Sequence, residues 1–273
     1  MNNYIQINIQ TETEQQLELL IALLSQEGYE SFEENEKTLS AFIQEQGYKE
    51  EVLKQILAPF SIGYQKEIIA PRNWNAEWEN NYEPVIVNDF VAVRAHFHKP
   101  ITNVQHQIVI TPKMSFGTGH HATTWQMMNL MQDIDFNNQT VFDFGCGTGV
   151  LAILAEKLGA ASVFAVDTDE LCIENSLENI ANNNCVRTTI RKGEAPPNKQ
   201  QFSIILANIN RHILLQNMQA MSNALATDGY LFVSGFYAEE NPLLINAAKE
   251  QGLQLIKTSE RHNWSSLIFQ KQN

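Results

Sequence analysis

The residues best suited to chemistry are Asp143-Phe144-Gly145-Cys146-Gly147-Thr148-Gly149. Glycines at alternate positions let the backbone turn tightly, take positive φ and approach a ligand closely. Val141 and Phe142 before them are apolar and read as a buried strand. Val150-Leu151-Ala152-Ile153-Leu154-Ala155 after them reads as a helix. The first turn of such a helix offers unpaired N–H groups and the positive end of its dipole. A strand, a glycine-rich turn and a helix start make a ligand site at the carboxyl end of a strand in an open parallel sheet.

The spacing narrows the ligand. The dinucleotide fingerprint is G-x-G-x-x-G, whereas these glycines read G-x-G-x-G, with Asp143 two residues before the first. A carboxylate there repels a pyrophosphate and pairs with an ammonium group. That favours a ligand with an amino-acid end, and S-adenosylmethionine combines such an end with an adenosine. Val163-Phe164-Ala165-Val166-Asp167 follows as a second apolar strand ending in an acid, 18 residues beyond Gly149. Its carboxylate can accept both ribose hydroxyls. A third apolar strand, Phe202 to Ala207, runs into Asn208-Ile209-Asn210. The Asn208 amide both accepts and donates, so it can hold a nucleophilic nitrogen toward a methyl donor; its other reading is a cap for the helix Arg211 to Leu225. Phe116-Gly117-Thr118-Gly119-His120-His121-Ala122-Thr123-Thr124 reads as a second ligand loop. There Phe116 would cover a base or sulfonium, and Thr124 would bond the amino-acid end. Gly193-Glu194, near the end of a strand over Val186 to Ile190, is placed to meet the adenine edge.

Other clusters offer less. His96, His98 and His106 have no acidic or cysteine partner near them in sequence, so no metal site is expected. Cys146, Cys172 and Cys185 are odd in number and lack metal spacing, which reads as reduced thiols in a cytoplasmic protein. The start Met1-Asn2-Asn3-Tyr4 has no basic residue and no apolar run, so no secretory leader is expected. No apolar run approaches a membrane span.

The elements that position these residues follow from periodicity. Residues 1–69 read as β-α-β-β-α-β, a small α+β ferredoxin-like domain. Its strands are Tyr4 to Ile9, Tyr29 to Glu33, Thr38 to Ile43 and Ile62 to Ile69. Its first helix is opened by the capping pair Thr11 and Glu14. The second is Lys49 to Leu57. Residues 70–84 read as a helical linker with Trp74, Trp78 and Tyr82 on one side. Residues 85–273 read as a Rossmann-like, doubly wound, mostly parallel sheet with an antiparallel final strand. Val85 to Ala95 enters it as one strand, and the helix after Asp169 carries a core face of Ile173, Leu177, Ile180 and Ala181.

Charge bounds the partners. The chain of 273 residues carries 18 basic and 31 acidic side chains, net −13. The first 60 residues hold three Lys and eleven Glu with no Arg or Asp, net −8. Such a surface repels bare nucleic acid and anionic membrane, and it suits a basic protein partner. A monomer is expected.

These motifs together resemble the class I S-adenosylmethionine-dependent methyltransferases over about residues 85–271. More closely, Phe116-Gly117-Thr118-Gly119-His120-His121, Asp143-x-Gly145-x-Gly147-x-Gly149 and Ala207-Asn208-Ile209 resemble the bacterial family that methylates large-subunit ribosomal protein eleven. The joint and the small N-terminal domain are also similar. The resemblance implies a cofactor held by Thr124, Gly145, Asp167 and Asn208. It implies repeated methylation of lysine amines and the N-terminus of a basic ribosomal protein. Thr111 and Lys113 stand where the family usually has Asp and Gly beside Pro112. Asn210-Arg211 and Glu83 also depart from the usual pattern. Other acceptors, a different basic protein or a small molecule, remain open within the class. Outside it stand a nicotinamide-dependent oxidoreductase, which the glycine spacing and Asp143 disfavour, and a non-catalytic binding protein that holds a ribosomal partner.

Overall fold

Alternating apolar residues in Tyr4–Gln10 send Ile5, Ile7 and Ile9 to one face of β1, as the period of two requires. The structure is a computed structural model that describes residues 3–35, 37–69, 79, 81–113, 116–197 and 200–272. Trp74, Trp78 and most of the expected linker helix lie outside these residues. The chain divides into two units, Met1–Asn81 and Tyr82–Asn273.

In the first unit β1 is followed by α1 (Glu14–Gln26), β2 (Ser31–Asn35), β3 (Thr38–Gln44), α2 (Glu50–Leu57) and β4 (Tyr64–Ile69). The sheet order is β2-β3-β1-β4, antiparallel throughout. The β1 isoleucines pack with Leu39, Ala41 and Ile43 of β3 and with Leu20, Leu24, Leu53 and Leu57 of the two helices. The capping pair differs from expectation. Thr13, not Thr11, caps α1 by accepting the Gln16 N–H at 3.3 Å. Thr11 is buried, and its N–H donates to the Lys37 carbonyl.

The second unit opens with β5 (Val85–Val87) and β6 (Val91–Ala95), an antiparallel pair, and β7 (His106–Ile110), parallel to β6. The expected single strand over 85–95 is therefore two. The chain reverses at Asn88, whose φ of 50° is one that asparagine tolerates.

Next come α3 (Ala122–Met131), β8 (Thr140–Phe144), α4 (Val150–Lys157), β9 (Ser162–Asp167) and α5 (Glu170–Asn182). They are followed by β10 (Thr188–Lys192), β11 (Phe202–Asn208), α6 (Arg211–Ala224), β12 (Leu225–Tyr237), α7 (Asn241–Glu250), β13 (Leu253–Arg261) and β14 (Trp264–Lys271). Seven strands order as β10-β9-β8-β11-β12-β14-β13. The first five are parallel, and β14 lies antiparallel between β12 and β13. Strand order reverses between β8 and β11, so the crevice for a ligand opens at the carboxyl ends of these two strands.

The sheet is covered on both faces. Val141, Met127, Met128, Ile153 and Leu154 belong to one core, and Phe142, Phe202, Leu214, Met218 and Leu244 to the other. Neighbours Val141 and Phe142 point oppositely, as a central parallel strand demands.

Two local departures have clear causes. The strand expected from Val186 begins instead at Thr188, and Val186 is 87% exposed. The N–H groups of Val186 and Arg187 donate to the Glu156 carboxylate of α4, as does the Thr188 hydroxyl at 2.6 Å. The buried face of α5 is also polar. Leu177 and Ala181 are exposed, whereas Asn175, Ser176 and Asn179 are buried beside Ile180. Asn179 and Asn183 bond main-chain groups of the β7 segment, so buried amides are satisfied by backbone rather than by apolar contact.

Candidate active site

At the end of β8 the chain turns through Gly145, Gly147 and Gly149 with φ of 77°, 53° and 77°. Only glycine takes this region freely. Contacts reinforce the requirement: a Cβ on Gly147 would fall within 3.0 Å of the Phe116 carbonyl oxygen, and one on Gly145 within 3.0 Å of the Ile209 side chain. Gly149 caps α4, directing the helix N-terminus toward the turn. The Gly145 and Cys146 N–H groups donate to the Val166 carbonyl at 2.9 and 3.0 Å, fixing the turn to β9.

Asp167 ends β9. Its Oδ2 accepts the Gly147 N–H at 2.8 Å, and its Oδ1 accepts the Asp169 N–H at 3.1 Å. A carboxylate has about four acceptor positions, so two remain for hydroxyl donors.

Asn208 ends β11. Its Nδ2 donates to the Thr124 hydroxyl at 3.2 Å, and its buried Oδ1 has no hydrogen-bond partner. It does not cap α6; Asn210 occupies that position. Ile209 beside it is gripped from two sides. Its N–H donates to the Ser234 carbonyl at 3.1 Å, and Gly235 (φ 103°) leaves room for its own carbonyl.

These strand ends open on one cleft of about 680 Å³, within the range of small-molecule sites. Phe116, Gly145, Gly147, Asp167 and Asn208 line it, and so does Glu194. Thr124 and Asp143 do not. Thr124 is fully buried behind Asn208, and Asp143 is 1% exposed beneath the turn. Asp143, to which the sequence assigns an ammonium-pairing role, lies behind the lining of the cleft. Its Oδ2 accepts the Ala152 N–H at 3.1 Å and its Oδ1 is unpartnered.

Sequence reasoning missed His121, Trp264, Ile209, Ile213 and Cys172, which also line the cleft. His121 packs edge-on to Trp264 with centroids 4.6 Å apart and lies 5.3 Å from Phe116. Its Nδ1 accepts the Thr123 N–H and caps α3. Burial holds this imidazole below its usual pKa, favouring its neutral form. His120 is turned elsewhere, toward the Glu83 carbonyl and Tyr82. The signal for His121 was present in the second loop. Trp264 is the first residue of β14, far along the chain, and only pairing of β14 with β12 brings it here. His98 is engaged by Ala95 and Tyr82. Among the described residues no group of three or more His, Cys, Asp or Glu side chains is arranged to hold a metal.

Burial drives the Asp143 carboxyl up to about 7, against the opposing Ala152 N–H and with a smaller push from Asp167. The sign of the pH dependence follows. The folded protein keeps a proton that the unfolded chain releases near its ordinary value of 3.8. Stability is therefore lost as pH rises between these two values. The thermal midpoint of the wild type, relative to that of Asp143→Asn, is expected to fall as pH rises from about 4 to about 7 and to level off above that. A constant difference in melting curves would contradict this.

The chain matches the family model for ribosomal protein L11 methyltransferase over residues 3–272. The ribosomal protein L11 methyltransferase of Porphyromonas gingivalis is 42% identical over 260 residues, covering 92% of this chain and 90% of that protein. That of Bacteroides fragilis is 37% identical over 265 residues, covering 94% and 95%. The crystal structure of ribosomal protein L11 methylase from Lactobacillus delbrueckii subsp. bulgaricus superposes with a TM-score of 0.65 at 28% identity. It covers 70% of this chain and all of that one.

Proposed function

The chain belongs to the ribosomal protein L11 methyltransferase family, and from that premise we propose that it transfers methyl groups from S-adenosylmethionine to lysine amines and the N-terminus of ribosomal protein L11. It is an S-adenosylmethionine-dependent methyltransferase of class I fold. The observation that supports the detailed reading is the convergence of Gly147, Asp167 and Asn208, from the ends of three neighbouring strands, on one cleft.

The residues fit the cofactor. Backbone at Gly145 and Gly147 lets the ligand lie against the turn, and the free acceptor positions of Asp167 suit ribose hydroxyls. Asn208 supplies an acceptor oxygen that the fold leaves unpaired. When bound, S-adenosylmethionine supplies an electrophilic methyl on sulfur, and the protein supplies position and a dry wall. Asn208 Oδ1 accepts one N–H of the incoming amine and aligns its lone pair. A free lysine has a pKa of about 10.4 and must be neutral to attack. A neutral amide does not favour the ammonium form as a carboxylate would, and the apolar rim of Phe116, Trp264 and Ile213 disfavours the charge further.

The first unit carries the recognition role in this reading. Glu12, Glu14, Glu18, Glu27, Glu30, Glu33 and Glu34 are exposed on it, an arrangement suited to a basic protein. Action as a monomer in the cytoplasm, without direct binding of nucleic acid or membrane, completes the proposal. Among the described residues no helix is long and apolar enough to cross a membrane.

The test is incubation of purified L11 with the protein and labelled S-adenosylmethionine, followed by mass spectrometry. Label at lysines and the N-terminus of L11 is expected. Cofactor binding without label on L11 would redirect the substrate to another basic protein, and failure to bind cofactor would overturn the reading of the cleft.

A further inference from the structure

Phe116 is 54% exposed at the mouth of the cleft, where a ring is expected to move unless its backbone is held. That backbone is held by one residue of the glycine turn. The Thr148 N–H donates to the Phe116 carbonyl at 3.0 Å, and the Thr148 hydroxyl donates to the Gly117 carbonyl at 2.7 Å. Thr148 itself is fully buried. Its own carbonyl accepts the Asn179 Nδ2 of α5 at 2.9 Å, and the Asn179 Oδ1 accepts the Thr111 N–H at 2.8 Å. The Asn175 amide adds a bond to the Thr111 carbonyl at 3.3 Å. One buried amide thus joins the strand that leads into the second loop to the turn that follows β8. One hydroxyl joins that turn to the segment carrying Phe116. Two glycines make the approach possible: a Cβ on Gly117 (φ 102°) would meet the Thr148 hydroxyl, and a Cβ on Gly147 would meet Phe116.

We propose that Thr148, fixed by Asn179, is a positioning residue that sets Phe116 at the rim of the cleft. Its hydroxyl thereby determines how well the substrate amine is received. Thr148 does not line the cleft, so it acts through Phe116 rather than by touching a ligand. The inference rests on the reading of Phe116 as part of the methyl-transfer site.

Thr148→Val keeps the shape and removes only the hydroxyl donor, leaving the half-buried Gly117 carbonyl without that bond. Acceptor kcat/KM is expected to fall by about fivefold to tenfold, the usual size for one lost buried hydrogen bond. The dissociation constant for S-adenosylmethionine, read by calorimetric titration, is expected to change by less than acceptor kcat/KM does, because Thr148 itself does not line the cleft. Thr148→Ser restores the donor and is expected to restore the rate. The decisive arm is the cycle with Phe116→Ala. In that background Thr148→Val is expected to cost nothing further. Additive losses, or a serine variant as poor as the valine one, would overturn the positioning role and leave Thr148 as ordinary packing. A Phe116→Ala enzyme with unchanged kinetics would instead overturn the placement of Phe116 in the site, which separates the two failures.

Discussion

Asn208→Ala is expected to lower kcat/KM for methyl transfer by about 100-fold or more, the size seen when one preorganised polar group is removed from a reaction centre. The expectation rests on an imbalance in how the fold treats this side chain. The Nδ2 end is anchored on Thr124 at 3.2 Å, which fixes the plane of the amide. The Oδ1 end is buried with no partner. A buried acceptor left unpaired costs about 1 to 3 kcal/mol, and a native fold sustains that cost where a ligand completes the bond. Asn208→Asp separates geometry from charge. The aspartate keeps the acceptor and the volume, but its charge stabilises the ammonium form of the amine, which cannot attack. Its kcat is expected to stay low near neutral pH and to recover as pH rises, while that of Asn208→Ala stays low at every pH. Rates come from mass-spectrometric time courses, with melting curves showing both variants folded. An alanine variant within about threefold of wild type would remove Asn208 from the reaction.

Gly147→Ala is expected to have the second largest effect, on cofactor affinity and stability together. Alanine at φ 53° pays about 1 to 2 kcal/mol for the left-handed region alone. Its Cβ would then press on the Phe116 carbonyl, a backbone atom that cannot swing aside. Either the turn or the Phe116 segment must shift, and the bond from the Gly147 N–H to Asp167 shifts with it. Cofactor affinity is expected to drop by about tenfold or more, following from a displacement of the two groups proposed to hold ribose and backbone. Gly252→Ala is the matched control. Gly252 also has positive φ, 74°, but nothing lies within 4 Å of its added Cβ. It is expected to lose stability by the dihedral cost and to bind cofactor normally. Equal titration curves for Gly147→Ala and wild type would show that the turn does not touch the ligand.

Much of this site was legible because local chemistry and position in the sheet agree. Glycines that need positive φ, an acid at the end of β9 and an amide at the end of β11 are each short-range signals, and the parallel order of strands brings their ends together. What was not legible depends on long-range pairing or on polar burial. Trp264 reaches the cleft only because β14 inserts between β12 and β13. The hairpin at Asn88 was hidden because Val85 to Ala95 is apolar on both sides of the turn. The α5 face was misread because periodicity counts apolar residues, and there the buried positions are Asn175, Ser176 and Asn179. Asp143 was placed correctly before the turn, but its orientation under α4 is set by the alternation of β8, which sends it to the same side as Val141.

Thr111 and Lys113, which flank Pro112, both reach Glu178 of α5, at 2.7 and 2.6 Å. They lie beside the bonds by which Asn179 and Asn183 hold the main chain of β7 rather than its side chains. Recognition of backbone places almost no demand on which residues occupy the segment being held. The asparagines of α5 act as a fixed rail, and the sequence leading into the cleft can drift along it without losing register. Substitution at 111 or 113 is therefore expected to alter the side-chain contacts with Glu178 while the main-chain bonds to Asn179 and Asn183 persist.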